Sequence, residues 1–230
     1  MFITESGWNF TKQLKWLDKY LLGHNGFIAG GFAKDIFLGN KVKDLDIFFW
    51  NNEDFEAAVQ YYKSHDGYMF YYGNDNVMAY QSVLSGTVLE LNRKIFGTPE
   101  EIIAQFDFTI AKFAYYTFTE ESTVTKSDEN GNVYEEPWYD ENGDPTMRQV
   151  WNAVYHPKFF EHLNLKRLVI DSRIPYPIST FHRMFKYGKR GFFPCRETKI
   201  KLIKELWMLP EETLQRSMND ISFYITDGVD

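Results

Sequence analysis

The chain has 230 residues, 44% hydrophobic, 25% charged and 18% aromatic, with a formal net charge of −7; this is the balance of a soluble globular protein long enough to bury a core. Its single cysteine, Cys195, excludes an internal disulfide and fits a reducing compartment. No apolar run approaches membrane-spanning length, and the opening MFITESGWNF lacks the basic and apolar regions of a signal peptide, so a cytoplasmic chain without a membrane partner is expected.

In chain order, residues 8–22 place Phe10, Leu14, Leu17 and Leu21 at helical spacing, stopped by Gly23. FIAGG reads as a short buried strand ending in a Gly turn. FAKDIFLG reads as two helical turns closed by Gly39, and KDLDIFFW as the next strand. NEDFEAAVQYYKSH is a helix with Asn51 or Asn52 as its cap. GYMFYYG and NVMAYQSVLSGTVLELN come next as strands with turns at 74–76 and 85–86. TPEEIIAQF then opens a helix through Thr98, Pro99 and Glu101. DFTIAKFAYY fits a strand or a helix start. Beyond it, tips at Asn130-Gly131 and Asn142-Gly143 predict a surface hairpin, and from Pro157 onward the pattern is mostly helical. The class is therefore α+β with a helical C-terminal portion, divided as 1–118, an acidic insertion 119–156, and a basic part 157–230.

Charge is unevenly placed. Residues 120–144 hold nine acids against Lys126 alone, a net of −8, whereas residues 158–204 hold twelve Lys or Arg against three acids, a net of +9. The basic stretch suits phosphate-bearing partners, and equally a solvated helical face. DENGN and DENGD echo calcium loops but lack their order and terminal Glu, so they are read as turns. The five histidines show no ligand spacing.

In KDLDIFFW, strand alternation puts Asp44, Asp46 and Phe48 on one face, and Leu45, Ile47 and Phe49 on the other. Two carboxylates one strand period apart repel each other and are costly to desolvate; a divalent cation offsets that cost, and a simple exposed strand end avoids it. Some fifteen residues upstream, Gly30 and Gly31 sit at a strand-to-helix turn, where backbone N–H groups approach phosphates closely. Lys34 and Lys43 supply cations nearby. TVLELNRK puts Val88, Glu90 and Asn92 on one strand face, opposite Leu89 and Leu91.

Gly30-Gly31-x-x-Lys34-Asp35, Leu38-Gly39 and Lys43-Asp44-Leu45-Asp46-Ile47 together resemble the opening signature of nucleotidyltransferases of the DNA polymerase β superfamily. The resemblance is to the tRNA CCA-adding enzyme and bacterial poly(A) polymerase group, which reads GG-x-x-R-D, L-L-G and a D-x-D strand. The resemblance implies a polymerase β-like nucleotidyltransferase core that moves a nucleoside monophosphate from an NTP to an acceptor hydroxyl with release of pyrophosphate. It also implies Mg²⁺ or Mn²⁺ on Asp44 and Asp46, and Glu90 or Asp107 as a third acid. Asp107-Phe108-Thr109 matches the group's D-F-T. TFHRMFKYGKRGF resembles its basic helix over the nucleotide, with Arg183, Lys186 and Lys189 in the basic positions. Gly30, Gly31, Lys34, Lys43, Arg183 and Lys186 would then bind the triphosphate.

The departures are specific. Lys34 replaces Arg, Gln105-Phe106 replace an Arg pair, no E-D-x-x-R templating element is present, and the chain is too short for the group's tRNA-holding body. An RNA acceptor such as a tRNA-like 3′ end is expected from the resemblance, with a protein or small-molecule acceptor as the alternative. A non-catalytic nucleotide-binding module, or an interaction protein using its acidic segment, is the other class. The compact, aromatic-rich form resembles versions that large DNA phages and viruses encode.

Overall fold

Residues 1–6 and 12–215 are described by a computed structural model. The chain divides into two compact units, one of Met1–Ile103 with Phe113–Tyr155, the other of Ala104–Lys112 with the chain from His156 on.

The first unit is built on one eight-stranded sheet. Its strands are β1 (Ile3–Ser6), β2 (Gly26–Ala29), β3 (Asp44–Phe49), β4 (Tyr68–Gly73), β5 (Val77–Ser82), β6 (Val88–Phe96), β7 (Phe113–Glu121) and β10 (Met147–Tyr155). They lie in the order β1-β10-β7-β2-β3-β6-β5-β4. Every neighbouring pair is antiparallel except β3 with β6. A parallel pair needs a crossover connection, and here it runs through α2 (Asn52–Ser64) and the β4–β5 hairpin.

Alternation within the strands assigns the faces. Leu45, Ile47, Leu89 and Leu91 are fully buried, and α2 lies against β3, β4 and β6 with Phe55, Ala58, Val59 and Tyr62 inward. Tyr62 stacks on Tyr80, and Phe55 meets Phe49 edge-on. The Asn51 side chain accepts the Asp54 N–H and so caps the helix, as expected. The Thr98 box also forms: Thr98 Oγ1 accepts from Glu101 N–H and Glu101 Oε2 from Thr98 N–H, opening α3 (Pro99–Ala104).

The expected helix over 8–22 is corrected. Residues 7–11 lie outside the described residues, and the rest of the span holds a short 3₁₀ helix, Lys15–Tyr20. Leu14, Leu17 and Leu21 are buried, so the apolar spacing reports a core contact and not an α-helix.

At the far ends of β7 and β10, Ser122 N–H bonds Thr146 O and Trp138 N–H bonds Ser122 O. From there the acidic segment forms the hairpin of β8 (Thr123–Ser127) and β9 (Val133–Pro137), and then a tight turn bridged between Tyr139 and Pro145. Asp128 accepts from the Asn130 and Asn132 backbone N–H groups, and Asp140 from those of Asn142 and Asp144. The two repeated DENG segments are thus carboxylate-closed turns.

The second unit contains a 3₁₀ turn at Thr109–Ala111, α4 (Phe159–Asn164), α5 (Pro177–Gly188) and α6 (Arg196–Trp207). The strands β11 (Arg167–Leu168) and β12 (Phe193–Pro194) pair in parallel. The 211–215 segment is helical, so among the described residues the helical reading of the C-terminal portion holds. DFTIAKFAYY resolves into that 3₁₀ turn followed by β7.

Candidate active site

β2 ends where Gly30, at φ +109°, turns the chain into α1 (Phe32–Phe37). An L side chain there would be strained. α1 closes at Gly39, φ +70°, with Gly39 N–H on Ile36 O and Asn40 N–H on Asp35 O, a glycine-terminated helix end. The chain then re-enters the sheet as β3.

β3 places Asp44 and Asp46 on the sheet face away from Leu45 and Ile47, as alternation requires. Asp44 is exposed and Asp46 half-buried. The parallel register sets Asp44 opposite Val88 and Asp46 opposite Glu90. Asp44, Asp46 and Glu90 therefore share one face on two adjacent strands. The Tyr72 hydroxyl donates to Glu90 Oε1 at 2.5 Å. Burial, the Glu90 bond and the negative potential of Glu90, Asp44 and Asp46 push the Tyr72 phenol well above its ordinary range. The one hydroxyl thus lies within electrostatic reach of all three carboxylates.

Beside it, a shallow cavity of about 270 Å³ is lined by Lys41, Lys43, Asp44, Ser85, Gly86 and Thr87, among others. Lys43 lines it and is exposed.

Two expected phosphate contacts have other partners here. The Gly30 N–H bonds Phe113 O and so is taken up by the backbone of β7. Lys34 is 1% exposed and its ammonium bonds Asp35 Oδ1 at 2.6 Å.

Asp107 and Arg183 both belong to the second unit, and there they hold each other. Asp107 is 4% exposed. Its Oδ2 accepts from Arg183 Nε and Nη2, each at 2.7 Å, and from Thr180 Oγ1 at 2.9 Å, while Oδ1 accepts from Phe108 N–H. Lys186 on α5 and Lys189 at its C-terminal cap are exposed. In the same unit, Asp171 receives His156 Nε2 and the buried Lys112 ammonium. The His156 bond does most to hold its carboxyl below the usual carboxylate range.

Divalent-metal binding is tested by the donor set. Among the described residues, no group of three or more His, Cys, Asp and Glu stands close enough to hold a metal ion. The donors are a carboxylate pair, Asp44 and Asp46, with Glu90 engaged by Tyr72. Mg²⁺ is commonly held by one or two carboxylates together with water and substrate phosphates and not by an all-protein cage, so this pair fits it.

Sequence reading missed Tyr72. YMFYYG predicts a regular strand, and the bulge that turns Tyr72 toward Glu90 falls at Tyr71, a residue type that does not mark one.

A family model described as Gad2, Gabija anti-defense 2 family protein, matches residues 8–166. A comparison with curated proteins returns no match. Among solved structures, the chain is similar to a CCA-adding enzyme in complex with CTP, with a TM-score of 0.53 and 16% identity over 88% of this chain and 45% of that one. It is also similar to the Thermotoga maritima CCA-adding enzyme complexed with tRNA, with a TM-score of 0.50 and 18% identity over 88% of this chain and 45% of that one. At these identities the likeness establishes the fold, a mixed sheet with flanking helices like the head of the CCA-adding enzymes. The chain spans less than half the length of those enzymes. Among the described residues no helix is long and apolar enough to cross a membrane.

Proposed function

The chain belongs to the Gabija anti-defense 2 family, and from that premise we propose that it is a metal-dependent nucleotidyltransferase, moving a nucleoside monophosphate from an NTP to an acceptor hydroxyl. The observation that carries the reading is the register of β3 on β6, which gathers Asp44, Asp46 and Glu90 on one face beside a lysine-rimmed cavity. The fold is the one that performs this reaction class in CCA-adding enzymes.

In this reading Asp44 and Asp46 hold Mg²⁺ or Mn²⁺. When bound, the metal supplies Lewis-acid neutralisation of the phosphates and lowers the pKa of a coordinated hydroxyl. Glu90 accepts the proton of the acceptor hydroxyl or completes the acidic centre. The Gly31 N–H and the Lys41 and Lys43 ammonium groups face the phosphates, which disperses the charge that builds on the leaving pyrophosphate. The exposed Lys186 of α5 and Lys189 at its end support a phosphate-rich acceptor, and RNA is the first to test.

A second reading is supported by the family description together with the arm formed by residues 122–146. There the protein acts as a phage-encoded interaction protein against a component of the defence that the family is named for, and the arm carries the recognition. Both readings are tested together by incubating the protein with each labelled NTP, Mg²⁺ or Mn²⁺, and either RNA or host lysate. Label on an acceptor, lost in Asp44→Ala, supports the enzyme. NTP binding with no transfer to any acceptor overturns it and leaves the interaction reading.

A further inference from the structure

We propose that Tyr72 is a positioning residue for Glu90, delivered to it by the β-bulge at Tyr71. This rests on the reading of Asp44, Asp46 and Glu90 as the acidic centre. In the β4–β5 pair, Phe70 stands opposite Tyr80, but Tyr72 stands opposite Ala79, because the register shifts between them. In a regular strand Phe70 and Tyr72 would share a face. Here Phe70 goes with Tyr80, whose ring stacks on Tyr62 of α2. Tyr72 goes with Ala79 onto the other face. Bulges re-aim side chains in this way, and beside active sites they do so often.

The pairing then lines up one row across four strands. Tyr72 is opposite Ala79, Ala79 opposite Glu90, and Glu90 opposite Asp46. Tyr72 and Glu90 are two strand spacings apart, about 10 Å. Ala79, fully buried, carries only a methyl group, so the phenol and the carboxylate meet above it at 2.5 Å. The bond fixes one oxygen of a side chain that otherwise has three rotatable angles. Glu90 is therefore held in a single orientation on the row it shares with Asp46. Of the other aromatic positions of YMFYYG, Phe70 and Tyr71 are exposed, and Tyr68 lies before the bulge and packs against Tyr62.

The test is Mn²⁺ binding by the full chain, titrated with and without a non-hydrolysable NTP, alongside the melting temperature of the metal-free protein. Tyr72→Phe keeps the ring and removes the hydroxyl. It is expected to weaken Mn²⁺ binding about tenfold, the scale of losing an outer-shell partner beside a metal-holding pair, and to leave the metal-free melting temperature within a few degrees. Glu90→Gln is expected to weaken binding at least as much, and Tyr72→Phe to add nothing in that background. Equal Mn²⁺ affinity for wild type and Tyr72→Phe, or additive losses in the double variant, overturns the role of Tyr72. Absence of Mn²⁺ binding by wild type, or undiminished binding by Asp46→Asn, overturns instead the acidic-centre reading, and the positioning role with it.

Discussion

Asp46 stands directly opposite Glu90 across the one parallel pair of the sheet, so two carboxylates are held side by side on neighbouring strands. Like charges in that position cost stability, about 0.2–1 kcal/mol, unless something positive joins them. Asp46→Asn keeps the shape and removes one of the charges. Nucleotide transfer is expected to fall at least about a hundredfold, the scale of losing a principal charge-stabilising group. The metal-free protein should melt within a few degrees of wild type. Labelled-NTP transfer and thermal unfolding check the two halves. Full transfer by Asp46→Asn would remove this residue from the reaction.

The Asp107–Arg183 pair makes the opposite prediction, a loss of stability. Two guanidinium nitrogens and the Thr180 hydroxyl converge on one buried carboxylate oxygen. Removing one partner of a buried ion pair leaves the other without compensation, at about 3–5 kcal/mol. The Arg183 side chain is 42% exposed and re-solvates in part, so Asp107→Ala is expected to cost about 2 kcal/mol. Asp107→Asn, which keeps an acceptor for Thr180, should cost less. Urea unfolding of both variants measures the ordering. A fully stable Asp107→Ala protein would show that the cluster does not hold α5.

The sequence made one half of the acidic centre readable and hid the other half for the same reason. Period-two alternation is reliable along β3 and β6, where Leu45, Ile47, Leu89 and Leu91 are all buried and each strand has only one way to face. Along β4 the same counting fails by one residue at Tyr71, because a bulge is a property of the pairing and not of the strand alone. The cations were harder still. Spacing shows that Arg183 and Lys186 can share a helical face, but not that Asp107, 76 residues earlier, takes the first of them. Lys34 is the local case, its charge spent on the adjacent Asp35 in a buried setting that composition does not reveal. At the N-terminus, Leu14, Leu17 and Leu21 are at helical spacing and all buried, yet the turn they occupy is 3₁₀. Burial was legible, and helix type was not.

His24 predicts how stability responds to acid. Its Nδ1 accepts the Gly26 N–H, so the proton sits on Nε2, which bonds the Tyr62 hydroxyl. That hydroxyl in turn donates to Tyr20 O. Burial holds the imidazole down to about 4, against an ordinary value of 6.5. The folded value is the lower one, so between the two the unfolded chain carries a proton that the folded chain does not. The stabilisation is complete above about 6.5 and is lost as pH falls toward 4. The total is on the order of 3 kcal/mol. Carboxylates titrate in part of the same range, so the comparison is between proteins. In His24→Asn, the fall in urea stability from pH 7 to pH 4.5 should be smaller than in wild type by about 2–3 kcal/mol. An identical fall in both proteins would assign the acid sensitivity elsewhere.

The arm offers a clean separation of folding from recognition. β8 and β9 pair only with each other among the described strands, and the turn at 139–145 is closed by its own bridge and by Asp140. At its base, Ser122 and Thr146 are already hydrogen-bonded, one step beyond the Glu121–Met147 register of β7 and β10. Replacing residues 123–145 with Asn-Gly should therefore close β7 and β10 as an ordinary hairpin, since that dipeptide adopts the turn which matches strand twist. The shortened protein is expected to unfold within a few degrees of wild type and to keep Mn²⁺ and NTP binding. The arm's ion pair, Lys126 with Glu136, is exposed and contributes little to stability. What should go is any association that depends on its net charge of −6 and its exposed Tyr134, Trp138 and Tyr139. Capture from host lysate by wild type and shortened protein, at low and at 0.5 M salt (roughly a 4 Å screening length), measures this. A partner retained by the shortened protein would place recognition elsewhere on the molecule, and loss of NTP binding would show that the arm belongs to the catalytic unit's function as well.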